Sequence, residues 1–213
     1  MVQALLAAKA NVNAKMNAGA TALMLASLEG HARVVQALLA SKADVNAIGD
    51  DGLSALQFAT TMGHLDVVQA LLDAGADVNA KMNDVKTALM SASQGGHVAV
   101  VQALLAAKAD VNTQSNEGET ALMVALQGCH ITVVKVLLAA KADVNARNEA
   151  GTTALMVASI MGHTRIVQVL IASKADINAV DGDGLSALQF ATTMGHLDVV
   201  ELLIQAGAVL PTL

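Results

Sequence analysis

The six histidines are the residues whose type and spacing most directly suggest chemistry, because histidine is a frequent zinc ligand. They recur every 33 residues, at His31, His64, His97, His130, His163 and His196. A shared zinc ion needs its ligands about 2.0–2.1 Å away, whereas packed helices lie about 8–10 Å apart. One histidine per layer of helices therefore cannot converge on one ion. The spacing favours a structural histidine at a repeated turn, and we predict no metal site.

Aspartates recur with the same period and could suggest acid chemistry. Each lies in the motif A-D-V-N or A-D-I-N, at Asp44, Asp77, Asp110, Asp143 and Asp176. Aspartate and asparagine in such turns bond to nearby backbone groups. We therefore interpret both side chains as local turn formers.

The single cysteine, Cys129, is followed directly by His130, but side chains adjacent in sequence diverge and do not form a catalytic dyad. The sequence contains no phosphate-binding glycine loop and no nucleophile motif. We predict that the chain is not an enzyme and needs no cofactor.

Composition restricts the class of protein further. The chain is 54% apolar but only 1% aromatic, so Ala, Val and Leu must form thin core layers. Its net charge is −6 and it has no dense run of Lys or Arg, which argues against nucleic acid as a partner. It lacks a signal peptide and any apolar run near the ~20 residues of a membrane span. One cysteine excludes a disulfide framework. We expect a soluble chain in the cytoplasm, its own cell's or another's.

A fixed period of this length indicates a repeat array. The segment DGLSALQFATTMGHLDVV occurs at 51–68 and again at 183–200, an offset of four periods that we attribute to duplication of a block of repeats. We predict one repeat domain over 1–213, with an N-terminal half-repeat followed by six repeats. Their boundaries are 1–15, 16–48, 49–81, 82–114, 115–147, 148–180 and 181–213.

The sequence pattern of each repeat predicts two helices and a loop. A Thr or Ser such as Thr21 or Ser54 stands where a helix N-cap belongs, and Ser54 with Gln57 has capping-box spacing. A short helix ends at Gly-His, and a second helix carries V-V-x-x-L-L. We expect the methionines early in the first helix to pack in the core. These are Met24, Met90, Met123 and Met156.

The second helix ends on lysine in most repeats, where Gly75 and Gly207 end theirs. The lysines are Lys9, Lys42, Lys108, Lys141 and Lys174. If φ is positive there, we expect each lysine to destabilise the fold by up to roughly 1 kcal/mol relative to glycine.

The Gly-His turn, the V-V-x-x-L-L helix and the A-D-V-N-A loop resemble the ankyrin repeat over the whole chain. The family's T-P-L-H is written TALM or SALQ here, so we expect looser tethering between repeats. The resemblance implies an all-α solenoid of helix-turn-helix-hairpin units. It also implies a non-enzymatic scaffold that binds a protein on a concave face formed by hairpin tips and first helices.

Position by position, the resemblance predicts which residues meet a partner. They are Glu29, Asp51, Leu53, Thr61, Met62, Lys86, Gln94, Glu117, Glu119, Gln127, Thr152, Ile160, Met161, Asp183, Leu185, Thr193 and Met194. This set is neutral to acidic with scattered Leu, Ile and Met. A protein partner with basic and apolar features would suit it.

An alternative function is self-assembly through the ends of the array. Met1 stands in the place of the first Val of V-V-Q-A-L-L, and A-D-V-N becomes A-V-L-P at 208–211. Repeat arrays normally carry polar caps at their ends, so exposed apolar edges could stack head to tail. We expect Leu203 in the last helix to lie on such an edge.

Overall fold

The structure is a computed structural model that describes residues 10–81 and 86–209. The chain divides into two compact units, Met1–Asp110 and Val111–Leu213. Within each unit, first helices pack on neighbouring first helices and second helices on neighbouring second helices. Most of the predicted half-repeat and the loop at 82–85 lie outside the described residues. The single-domain boundary of 1–213 stays a prediction.

The described residues contain six pairs of α-helices, three in each unit. The first unit holds α1 (Ala22–Leu28), α2 (Ala32–Ala40), α3 (Ala55–Met62), α4 (Leu65–Asp73), α5 (Ala88–Gln94) and α6 (Val98–Ala106). The second unit holds α7 (Ala121–Gln127), α8 (Ile131–Ala139), α9 (Ala154–Ile160), α10 (Thr164–Ala172), α11 (Ala187–Thr193) and α12 (Leu197–Gln205). The predicted all-α architecture of paired helices is confirmed.

Each first helix begins at a hydroxyl side chain, as predicted. The Met24 amide donates to the Thr21 hydroxyl at 3.3 Å. At α3 the predicted capping box is present. The Ser54 amide donates to Gln57 Oε1 at 2.7 Å, and the Gln57 amide donates to Ser54 Oγ at 3.4 Å. These bonds satisfy amides that have no partner inside the helix.

The core consists of small and aliphatic side chains between the helices. In α4, Val67, Val68 and Leu71 are buried, whereas Leu65 and Leu72 are half-buried. The four methionines expected in the core are buried, and that prediction is confirmed for Met24, Met90, Met123 and Met156. Their flexible side chains fill gaps that alanine-rich layers would leave.

The expected left-handed backbone is present at the lysines that follow the second helices. Lys42 and Lys108 have φ of 67°, and Lys141 and Lys174 have φ of 66°. Left-handed backbone costs an L-residue about 1–2 kcal/mol. Lys9 lies outside the described residues.

The asparagine of A-D-V-N joins neighbouring helix pairs, and here the prediction of a purely local turn is wrong. Asp44 does bond locally, since its Oδ1 accepts from the Asn46 amide at 3.0 Å. Asn46, however, reaches into the following loop. Its Oδ1 accepts from the Asp77 amide at 2.9 Å, and its Nδ2 donates to the Gly75 carbonyl at 3.3 Å.

The same asparagine bridge recurs through both units. In the first unit, Asn13 and Asn79 accept from the amides of Asp44 and Asp110 at 2.8 and 2.9 Å. In the second unit, Asn112, Asn145 and Asn178 accept from the amides of Asp143, Asp176 and Val209 at 2.8, 2.7 and 3.0 Å. Within each unit these bonds tie neighbouring pairs together despite the absence of T-P-L-H.

Replacing Lys174 by glycine is expected to stabilise the second unit by about 0.5–1 kcal/mol. The change relieves the left-handed strain, and the greater freedom of glycine in the unfolded chain offsets part of the gain. Lys174→Ala is the matched control, since it removes the charge but keeps the strain. Urea unfolding followed by circular dichroism measures both variants. Equal midpoints for the glycine and alanine variants would contradict the strain at this position.

Replacing Asn46 by alanine is expected to lower the free energy of unfolding by about 1–2 kcal/mol, because two hydrogen bonds of about 0.5–1.5 kcal/mol each are lost. Gln69→Ala, an exposed site on α4, serves as the control and should change little. The same urea titration compares them. An Asn46 variant as stable as the Gln69 variant would show that the bridge contributes nothing.

Candidate functional site

The histidines lie at the joints between helix pairs, in agreement with the predicted structural role. At three joints the ring reaches the C-terminal end of the preceding first helix, where a backbone carbonyl accepts from Nε2. His64 bonds the Leu28 carbonyl at 3.0 Å, and His97 bonds the Thr61 carbonyl at 3.0 Å. In the second unit, His196 bonds the Ile160 carbonyl at 2.9 Å. At these joints the imidazole positions helices and has no free Nε2 for a ligand.

The described residues were compared with the requirements of a metal site, a reactive thiol and a membrane-spanning helix. Among residues 10–81 and 86–209, no group of three or more His, Cys, Asp or Glu side chains could hold a metal ion. Cys129 is exposed. No helix in the described part of the chain is both long and apolar enough to cross a membrane.

The loops that precede the first helices are tight and internally bonded. In the loop before α3, the Gly49 amide donates to the Leu53 carbonyl and the Gly52 amide donates to the Gly49 carbonyl, both at 3.0 Å. Gly52 has φ of 77°, a conformation that glycine adopts at little cost. A single β-bridge, Ile48 with Ser54, closes the base of this loop. The tip is therefore held without a regular strand.

Neighbouring loop tips are also bonded to each other through their backbones. In the first unit, the Asp50 amide donates to the Ala18 carbonyl at 3.1 Å. In the second unit, the Glu149 amide donates to the Glu117 carbonyl at 3.0 Å, and the Gly182 amide donates to the Ala150 carbonyl at 2.8 Å. Backbone groups hold these tips in a row, so the side chains at the tips can differ from one repeat to the next.

The residues expected to bind a partner fall into two sets in the structure. One set lies on the loops, at Asp51, Leu53, Lys86, Glu117, Glu119, Thr152, Asp183 and Leu185. The other set lies at the C-terminal ends of the first helices, at Glu29, Thr61, Met62, Gln94, Gln127, Ile160, Met161, Thr193 and Met194. Leu53, Lys86, Glu119, Thr152 and Ile160 are half-buried, and the others are exposed. In each unit, we call the residues of the two sets together the loop-and-helix surface of that unit.

The two sets meet within one repeat of the second unit. Gln127 Nε2, at the end of α7, donates to Glu119 Oε1 on the loop at 3.0 Å. The loop and the helix end therefore contribute to one surface there. This contact also orients the carboxylate of Glu119, which is half-buried.

Acidic and apolar side chains both occur on the loop-and-helix surface of the second unit. Its three loops, 115–119, 148–152 and 181–185, contain five acidic residues and no Lys or Arg. Beside them, Met161 and Met194 are 45% and 53% exposed. Exposed methionine is common where a binding surface must adapt to its partner. The surface thus combines negative charge with flexible apolar contacts.

Several exposed apolar residues near this surface were missed by the sequence analysis. Ile48 and Val180 stand at the bases of loops, and Leu25 lies on α1; all three are exposed. Variation at the last position of each repeat could have indicated that these side chains are exposed. This position holds Ile48, Lys81, Gln114, Arg147 and Val180. Arg147 there donates from its guanidinium to the Val180 carbonyl, so this position also links neighbouring loops.

Comparison with known proteins agrees with this architecture. A family model described as ankyrin repeats (3 copies) matches residues 1–82, 80–148 and 140–211. A search among curated proteins finds no match. Because the three matches cover nearly the whole sequence, and the described residues form the expected helix pairs, the chain belongs to the ankyrin repeat family.

Proposed function

We propose that this chain is a protein-interaction scaffold whose partner binds across the loop-and-helix surface. Ankyrin repeats are generally protein–protein interaction modules, and the family is typically non-enzymatic. The observation that carries the proposal is the row of loop tips bonded backbone to backbone, such as Glu149 to Glu117. Such a row can present variable side chains without loss of its own structure.

The fixed loop tips support binding because they reduce its entropic cost. When a partner must order a mobile loop, the entropic cost of ordering weakens binding. A preorganised surface avoids this cost. In the second unit, the Glu119 and Gln127 side chains are already bonded to each other. The contacts that a partner makes there need little rearrangement.

The chemistry of the surface suggests the class of partner. Five acidic residues on the loops of the second unit would attract a positively charged segment and speed its association. Met161 and Met194 would contact apolar side chains of the same segment. We therefore propose a protein segment that carries Lys or Arg beside Leu, Ile, Met or an aromatic residue. The cytoplasm, of its own cell or of another, is the compartment we propose for this binding.

The proposal predicts which peptides the chain selects and where they bind. Random linear peptides displayed on phage, selected on the purified chain, should be enriched in basic residues next to apolar ones. The double variant Met161→Ala/Met194→Ala should raise the Kd of the selected peptides about tenfold or more, because truncating anchor residues typically costs 1–2 kcal/mol or more. Fluorescence anisotropy with synthetic copies of the peptides gives the Kd for the original chain and the Kd for the double variant.

The matched control for this experiment is Gln168→Ala, an exposed position on the second helix α10. It should leave the Kd unchanged, because second helices lie outside the proposed surface. Peptides that bind the methionine variant as tightly as the original chain, or that lose affinity for the Gln168 variant, would refute the proposed surface.

A second candidate function, self-association, is favoured by the outer face of α12. Leu197 and Ile204 are 75% and 57% exposed. Their counterparts Leu65 and Leu72 on α4 are only half-buried rather than exposed, because another helix pair packs beside α4. The segments 51–68 and 183–200 are identical, so the face around Leu197 has the chemistry of one that packs against another pair. A second copy of the chain is the occupant we propose for this candidate.

The expectation that Leu203 lies on this exposed face is wrong, since its side chain is fully buried. The test therefore uses Leu197→Lys/Ile204→Lys. If the chain self-associates through α12, its mass by light scattering should rise above 21.6 kDa as concentration increases about tenfold, and the double variant should stay monomeric because charge on this face opposes burial. A constant monomer mass for the unmodified chain would eliminate this candidate.

A further inference from the structure

The joints between helix pairs share a close contact between a glycine and a histidine ring. A Cβ placed on Gly30 would lie 2.7 Å from the His64 ring, and one placed on Gly63 would lie 2.5 Å from the His97 ring. In the second unit, a Cβ on Gly162 would lie 2.7 Å from the His196 ring. No side chain fits at such distances. The glycine therefore allows the ring to reach the carbonyl that accepts from its Nε2.

One joint in the second unit departs from this arrangement. Cys129 occupies the position of the glycine, with φ of 56°, so its backbone is left-handed like that of the glycines but carries a Cβ. The histidine that follows it at the next pair is His163. The backbone around this histidine is ordinary, since the His163 amide donates to the Ala158 carbonyl at 3.0 Å. The departure is therefore in the side chains.

His163 lacks the hydrogen bond that His64, His97 and His196 make. At those joints Nε2 meets the carbonyl of the residue 36 positions earlier, and the corresponding acceptor for His163 is the Gln127 carbonyl. His163 Nε2 is instead buried without a hydrogen-bond partner. A buried polar atom that has lost water and gained no partner destabilises the contact that buries it.

The surface cavity beside this joint is also larger than those at two of the regular joints. Cys129 and His163 line one surface cavity of about 370 Å³. The cavities at the Gly30–His64 and Gly162–His196 joints measure about 280 and 320 Å³. A cavity therefore borders the Cys129–His163 edge of this joint.

Other contacts at the same joint remain intact. The Asp176 amide donates to Asn145 Oδ1 at 2.7 Å, and the Glu149 amide donates to the Glu117 carbonyl at 3.0 Å. These bonds lie on the loop side of the helix pairs, whereas Cys129 and His163 lie at the turns between first and second helices. The joint is thus tethered along one edge and weakened along the other.

We propose that the contact between the α7–α8 pair and the α9–α10 pair is a hinge built into the second unit. It opens at the Cys129–His163 edge and pivots on the bonds of Asn145 and Glu149. Opening tilts the loop that carries Glu117 and Glu119 relative to the one that carries Thr152. The Cβ of Cys129 creates the hinge by keeping His163 from its acceptor.

Native-state hydrogen exchange, measured residue by residue by NMR, tests the hinge. Cys129→Gly removes the Cβ, so His163 should bond the Gln127 carbonyl and the amides of α9 and α10 should exchange about tenfold more slowly, the effect of one buried hydrogen bond. Cys129→Ala keeps the Cβ and should exchange like the original chain. A glycine variant with unchanged exchange in α9 and α10 would overturn the proposal.

A histidine comparison separates the missing bond from simple relief of backbone strain. His163→Ala should change exchange little in the original chain, because the ring makes no Nε2 bond to lose. In the Cys129→Gly background the same change should abolish most of the protection gained. His196→Ala, at a regular joint, should accelerate exchange in α11 and α12 about tenfold. Protection in the glycine variant that survives His163→Ala would attribute the effect to strain and refute the hinge.

Discussion

Each unit of this protein depends on the contacts between its neighbouring helix pairs, because a single pair is too thin to bury its own apolar residues. The interior is built from Ala, Val, Leu and Met, with only two phenylalanines in the whole chain. Apolar packing of this kind is weakly directional. The asparagine bridges add direction, since one side chain such as Asn46 fixes both an amide and a carbonyl of the following loop. These bonds determine how neighbouring helix pairs align with each other.

A framework held at its turns leaves other positions free to vary. The caps are always Thr or Ser and the joint histidines are the same from repeat to repeat, whereas the loop tips change from Ala18 to Asp51 to Glu117. The bonds between neighbouring loop tips are made by the backbone, so they do not depend on the tip side chains. Within a loop a side chain can stabilise the turn as well, since Asp51 Oδ1 accepts from the Leu53 amide at 3.0 Å.

The features that the sequence predicted well are those decided within a few residues. The capping hydroxyl of Thr21 and the left-handed backbone at Lys174 follow from local chemistry and from comparison of one repeat with another. The hydrogen-bond partners of Asn46 and His64 lie in a neighbouring pair. Periodicity shows that such a contact recurs, but a bond inside one repeat and a bond between two repeats have the same period. The sequence therefore led to the wrong expectation that the asparagine side chain bonds within its own repeat.

The exposure of candidate-site residues could be predicted from the sequence for some positions and not for others. Exposure of Met161 and Met194 follows from their place at the ends of first helices. Burial of Leu203 was missed although it occupies the position of Leu71 and Leu137 in earlier repeats, and all three side chains are buried. The effect of Cys129 on His163 was also hidden, since the two residues are 34 positions apart in sequence and meet only across a joint.

The duplicated segment 51–68 and 183–200 has a genetic consequence. Its two copies occupy equivalent places, each covering a loop tip, a first helix and the start of a second helix. Recombination anywhere inside these eighteen residues would delete or insert 132 residues, a whole number of repeats. In the product, the helices at the crossover point would keep their amino-acid sequence. This array can therefore change its length in one event while the point of exchange remains a normally folded repeat.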